Sequence, residues 1–154
     1  MKLSHLFVGA LISAVAIFAS AHTHDNIMIE SPWARASAPG APSAGFLVLH
    51  NHDDTDDTLL KVEGDFAKKL ELHKSFEENG VMRMVEQKDG ILIPSHGMVT
   101  LAPGGYHLMF MGLEKNFEVG EVYTVVLTFE HGGERTVELE VKEMADMAEM
   151  KMSH

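Results

Sequence analysis

The sequence predicts an all-β domain, a sandwich or barrel, on three observations. Short runs of β-branched, aromatic and alternating apolar residues recur along the chain. Clusters of Gly, Pro, Asn and Asp separate them. No stretch before residue 142 carries the apolar period of a long amphipathic helix. Many short strands joined by turns are stable only as two packed sheets or one closed sheet.

Nine strand-like runs follow in order: residues 27–36, 44–51, 58–64, 69–73, 81–86, 98–101, 106–113, 122–130 and 135–141. Their separators are turn-forming, among them Ala38-Pro39-Gly40-Ala41-Pro42, Glu78-Asn79-Gly80, Asp89-Gly90, Pro103-Gly104-Gly105 and His131-Gly132-Gly133. The last two runs read as a closing hairpin. There Val137, Leu139 and Val141 alternate with Thr136, Glu138 and Glu140, the period of a half-buried strand.

The domain is flanked by two segments of different character. Residues 1–21 read as a secretory signal: Lys2 supplies the positive start, Leu6 to Phe18 is an apolar run, and Ala19-Ser20-Ala21 is a small-residue cleavage site. That run is 13 residues long, short for a membrane span. The mature chain would then start at His22, inside the periplasm, with no membrane contact. Residues 22–142 are expected to form one domain. Residues 143–154 hold four Met and one His without an aromatic or β-branched residue, and read as a flexible or weakly helical tail.

Composition excludes several functions. Without Lys2, 11 basic residues face 23 acidic ones, so nucleic acid is not an expected partner. There is no Cys, which rules out a thiol oxidoreductase and a thiolate-bound blue-copper centre. What remains conspicuous is 11 Met and 10 His. Thioether sulfur is soft and imidazole borderline, a donor pair that suits monovalent copper better than zinc, calcium or magnesium.

Their placement sharpens this reading. In the run 106–113, alternation sets His107, Met109 and Met111 on one face and Leu108 and Phe110 on the other. Core packing alone accounts for the methionines but not for His107 beside them. In Lys69-Leu70-Glu71-Leu72-His73 the leucines point inward and His73 falls on the polar face. Met82 and Met84 share a face of the next run, and a hairpin at Glu78-Asn79-Gly80 would bring Met84 near His73. His50 and His52 beside the acidic turn, and His96 and His131 in turns, read as solvated residues. No nucleophile–base pair or paired carboxylates emerge, so catalysis is not indicated.

The spacing resembles that of the periplasmic copper chaperones called PCuAC, whose pattern is H-x10-M-x21-H-x-M. Here ten residues separate His73 from Met84, and 22 separate Met84 from His107-x-Met109. Trp33-Ala34-Arg35, Ala44-Gly45-Phe46, Glu71-Leu72-His73 and Pro103-Gly104-Gly105-Tyr106-His107-Leu108-Met109 are similar as well, so the resemblance spans roughly residues 27–141. It implies a cupredoxin-like Greek-key fold. It also implies Cu(I) ligation by His73, Met84, His107 and Met109; Met82 and Met111 are then spare thioethers, read as packing or supporting residues. Delivery toward the dinuclear copper site of cytochrome c oxidase follows from it too, directly to the copper-bearing subunit or through a Sco-type protein.

The two ends offer further donors. His22-Thr23-His24 at a free amino terminus would supply amine, amide and imidazole nitrogens in the square-planar set that Cu(II) favours. Met144, Met147, Met150, Met152 and His154 would supply soft donors. The expectation is a non-enzymatic chaperone. The alternatives are a copper-sequestering resistance protein, a cuproenzyme and a metal-free Ig-like adhesion domain.

Overall fold

A computed structural model describes residues 26–144. The described residues form ten strands: β1 (Ile27–Arg35), β2 (Ser43–Asn51), β3 (Asp57–Glu63), β4 (Ala67–Glu78), β5 (Val81–Glu86), β6 (Ile91–Ile93), β7 (Met98–Leu101), β8 (Tyr106–Leu113), β9 (Val122–Phe129) and β10 (Gly133–Lys142). The three segments expected at residues 81–86, 98–101 and 106–113 have those bounds. β4 is longer than the run 69–73, and β6 was not expected. His22, His24, Met147, Met150, Met152 and His154 lie outside the described residues.

The strands form one sheet in the order β5-β4-β8-β7-β2-β1-β10-β9-β3-β6. It folds over on itself: β3 lies against β4, and β6 against β2 and β7. The result is two facing layers, one led by β5-β4-β8-β7-β2 and the other by β10-β9-β3-β6. All neighbouring pairs are antiparallel except β1 with β10 and β7 with β8.

The core between the layers follows from period-two alternation. Leu72, Leu108 and Phe110 from one layer meet Leu59, Val125, Leu127 and Leu139 from the other, all buried. Phe66 stands edge-on to Phe110 at 5.1 Å and to Phe117 at 5.4 Å, a favoured aromatic geometry. Gly45 in β2 is required by this packing, because a Cβ there would lie 2.9 Å from the Phe110 ring.

Two local devices matter for the outer face of the β5-β4-β8-β7-β2-β1 layer. Asn79 and Gly80 both take positive φ, 53° and 76°, and close the β4–β5 hairpin as a two-residue turn with Glu78 opposite Val81. In β1 the register shifts between Glu30 and Trp33, with Ser31 at φ 50°. This bulge adds one residue and so keeps Met28 and Glu30 on the same outer face as Trp33.

Candidate metal centre

Strand register brings the four predicted residues onto that outer face. His73 in β4 lies directly opposite His107 in β8, and Glu71 opposite Met109. Across the hairpin Ser75 is opposite Met84, so Met84 sits one diagonal step from His73 on its own side of the sheet. The rings of His73 and His107 are 5.9 Å apart between centroids. Directly opposite residues have Cβ atoms about 5 Å apart, and diagonal ones about 7–8 Å, within reach of long side chains. The four therefore lie on one face of three successive strands, with the two imidazoles between the two methionines along the strand direction.

Each imidazole is oriented by a specific neighbour. The turn Ala102-Pro103-Gly104-Gly105 closes with the Gly105 amide donating to the Ala102 carbonyl at 3.0 Å, with Gly104 at φ 85°. It presents the Gly105 carbonyl, which accepts from the Ser75 amide at 2.9 Å and from His107 Nδ1 at 3.0 Å. With its proton on Nδ1, His107 keeps the lone pair on Nε2. Burial holds the His107 pKa below its ordinary value, reinforced by His73 and Arg35, against the opposing Gly105 bond. The ring is thus neutral, the form that binds a metal.

His73 is braced by a carboxylate. Its Nε2 is 2.8 Å from Glu71 Oε2, while Glu71 Oε1 is 2.6 Å from Lys69 Nζ. Lys69 first, and His73 second, hold the Glu71 carboxyl below the usual range. A carboxylate on one ring nitrogen fixes the tautomer and strengthens the other as a donor. That other atom, His73 Nδ1, is buried and has no hydrogen-bond partner among the described residues. Buried polar atoms without protein partners are rare and costly, so this nitrogen is available as a donor atom.

The surroundings grade from closed to open. His107 is only 4% exposed, although it faces away from the main core. A small second cluster covers it: Trp33, Ala44 and Phe46, with Phe46 6.5 Å from His107 and 4.7 Å from Trp33 between ring centroids. His73 and Met109 are half-buried, and Met84 is 51% exposed on edge strand β5. Met111 lies opposite Lys69 and Met82 opposite Glu77, both on this face, with Met82 exposed. Among the described residues no three His, Cys, Asp or Glu side chains converge to hold an ion. A metal here would need thioethers, and two imidazoles with two thioethers form a donor set for a soft monovalent ion.

The residues that support the imidazoles were not assigned that role from sequence. Glu71 and Gly105 had a signal, since each lies two positions before a histidine it contacts. Trp33 and Phe46 stood in motifs shared with the resembling family, but their place over His107 depends on sheet order. His96 and His131 are exposed, as expected of turn residues. His50 departs from that reading: it is half-buried within β2, with Nε2 2.8 Å from Glu30 Oε2. Met144 is exposed just past β10.

Comparison with known proteins agrees with this architecture. Residues 27–141 match the LpqE-like family, described as "Putative lipoprotein LpqE-like". A Leifsonia xyli protein named "Putative lipoprotein Lxx21020" is 31% identical over 144 residues, spanning 91% of this chain and 86% of that one. The copper-bound PCuAC domain from PmoF2 superposes with a TM-score of 0.65 at 28% identity, covering 77% of this chain and 93% of that domain. The solution structure of CuI-DR1885 from Deinococcus radiodurans gives 0.57 at 26% identity, covering 82% and 86%. The fold is the all-β, cupredoxin-like one of these neighbours. From the span of the family match and this relative's identity and coverage, the chain belongs to the LpqE-like family, the family of PCuAC-type domains.

Proposed function

We propose that this protein is an exported copper chaperone, not an enzyme, that carries Cu(I) on His73, Met84, His107 and Met109. One observation carries the reading: His73 and His107 face each other across β4 and β8, with both thioethers on their side of the sheet and His73 Nδ1 buried without a partner among the described residues. Copper is cargo here. Cu(I) accepts thioethers and low coordination numbers, and the neutral donors release it without a proton transfer. The copper-bound PmoF2 domain and CuI-DR1885 support the choice of metal. The signal-like residues 1–21 and the lipoprotein name of the Leifsonia xyli relative support export to the periplasm.

The gradient of exposure gives transfer a direction. Met84, on the open edge strand, is the donor that an incoming ligand displaces first, and buried His107 is the last to let go. Thiolates are stronger Cu(I) donors than thioethers, so the acceptor is a cysteine-ligated copper site. The dinuclear copper site of cytochrome c oxidase fits that chemistry, reached through its copper-bearing subunit or a Sco-type protein. A second, Cu(II)-binding site is assigned to His22 and His24, with Met144, Met147, Met150, Met152 and His154 adding soft donors.

Anaerobic Cu(I) loading of the mature protein, followed by mixing with the apo copper domain of the oxidase, tests the reading. Transfer to the domain is expected. Retention of tightly bound copper points instead to sequestration, and dioxygen or peroxide turnover to a cuproenzyme. Failure to bind Cu(I) removes the chaperone altogether.

A further inference from the structure

The sheet juxtaposes a second Met/His set that is separate from the quartet. His50 in β2 has Met28 of β1 directly opposite on one side and Met98 of β7 directly opposite on the other. Opposite partners across neighbouring strands point to the same side, with Cβ atoms about 5 Å apart. One imidazole is thus flanked by two thioethers. Both methionines are exposed, Met28 at 48% and Met98 at 61%, so core packing does not explain them.

The histidine is prepared as a ligand in the manner of His73. Its Nε2 lies 2.8 Å from the Glu30 carboxylate, which leaves Nδ1 to carry the lone pair. Its ring is stacked on His52 at 6.2 Å and 6° between planes. The β1 bulge puts Met28 and Glu30 on this face together with Trp33. Phe46, which lies against His107, is four residues from His50 on the same face of β2, about 13 Å along the strand. The two sets are therefore distinct sites on one surface.

We propose that Met28, His50 Nδ1 and Met98 form a second binding site for a soft monovalent cation, with Cu(I) as the ion. One imidazole and two thioethers make a three-donor set suited to an ion that accepts low coordination. The site is more open than the quartet and is expected to fill second.

Methyl NMR of the full mature chain, labelled at the methionine methyl groups and titrated anaerobically with Cu(I) alone, tests this. The expected result is movement of the Met84 and Met109 signals first. Met28 and Met98 then move together. The M28L/M98L variant should weaken the second event about tenfold or more and leave the first unchanged. Leu at exposed positions leaves the fold intact. Static Met28 and Met98 signals up to saturation, with later equivalents taken up by Met144, Met147, Met150 and Met152 alone, would overturn the proposal. If Met28 and Met98 respond while Met84 and Met109 do not, this site stands and the quartet falls.

Discussion

The two faces of the β4–β8 pair are built from the same backbone and have opposite properties. On the inner face Leu72, Leu108 and Phe110 are sealed against the other layer. On the outer face His73, His107 and Met109 sit in the intervening positions, braced by Glu71 and the Gly105 carbonyl. Period-two alternation separates stability from chemistry within a few residues of chain. A substitution at one position should damage the fold and spare the site; at the next it should do the reverse.

The largest expected effect is on the inner face. Phe110→Ala leaves a cavity against Phe66 and Phe117 and should cost about 3–5 kcal/mol, read as a lower denaturant midpoint. Met109→Leu, one residue away, keeps apolar volume and should cost less than about 1.5 kcal/mol. Met84→Leu on the exposed edge should change stability by about 0.5 kcal/mol or less. Yet both Leu variants should weaken Cu(I) binding strongly in a chelator competition. Equal loss of stability in Phe110→Ala and Met109→Leu would break the division between the faces.

A smaller effect comes from acidification of the metal-free protein. His107 is held neutral below its ordinary pKa by burial. The unfolded chain, with a pKa near 6.5, takes up this proton first. Its contribution to stability is complete above about pH 6.5 and is lost progressively as pH falls below that value. His107→Asn should flatten this part of the stability–pH curve. An unchanged curve would mean that the ring is not desolvated.

How much of this contrast was readable from sequence depends on whether the signal was local. The faces of β8 were legible, because Leu108 and Phe110 alternate with His107 and Met109 in an unbroken run. The Asn79-Gly80 hairpin was legible for the same reason. β6 was missed because Ile91–Ile93 is three residues between Gly90 and Pro94, too short to show a period. β4 was cut at His73 because Lys74-Ser75-Phe76-Glu77-Glu78 lacks alternation; pairing with β5, not a buried face, keeps it extended. The cover of Trp33 and Phe46 over His107, and the set of Met28, His50 and Met98, depend on which strands become neighbours. Their members lie far apart in sequence, and no local pattern announces them.

The smallest expected effects on the folded site come from the ends. Deleting His22 to His24 should weaken Cu(II) binding seen by paramagnetic resonance, with the first Cu(I) equivalent nearly untouched. Removing residues 143–154 should lower total copper capacity more than the affinity of that first equivalent. If removal of both ends leaves Cu(II) binding as tight as before, the Cu(II) donors belong to the folded domain.

On the proposed function, the outer face of β4, β5 and β8 holds copper through both imidazole and thioether donors. X-ray absorption of the first Cu(I) equivalent, compared between the natural chain and the M84L/M109L variant, tests it most directly. Mixed nitrogen and sulfur scattering is expected in the natural chain, with the sulfur contribution lost in the variant. Identical sulfur scattering in the two proteins would contradict it.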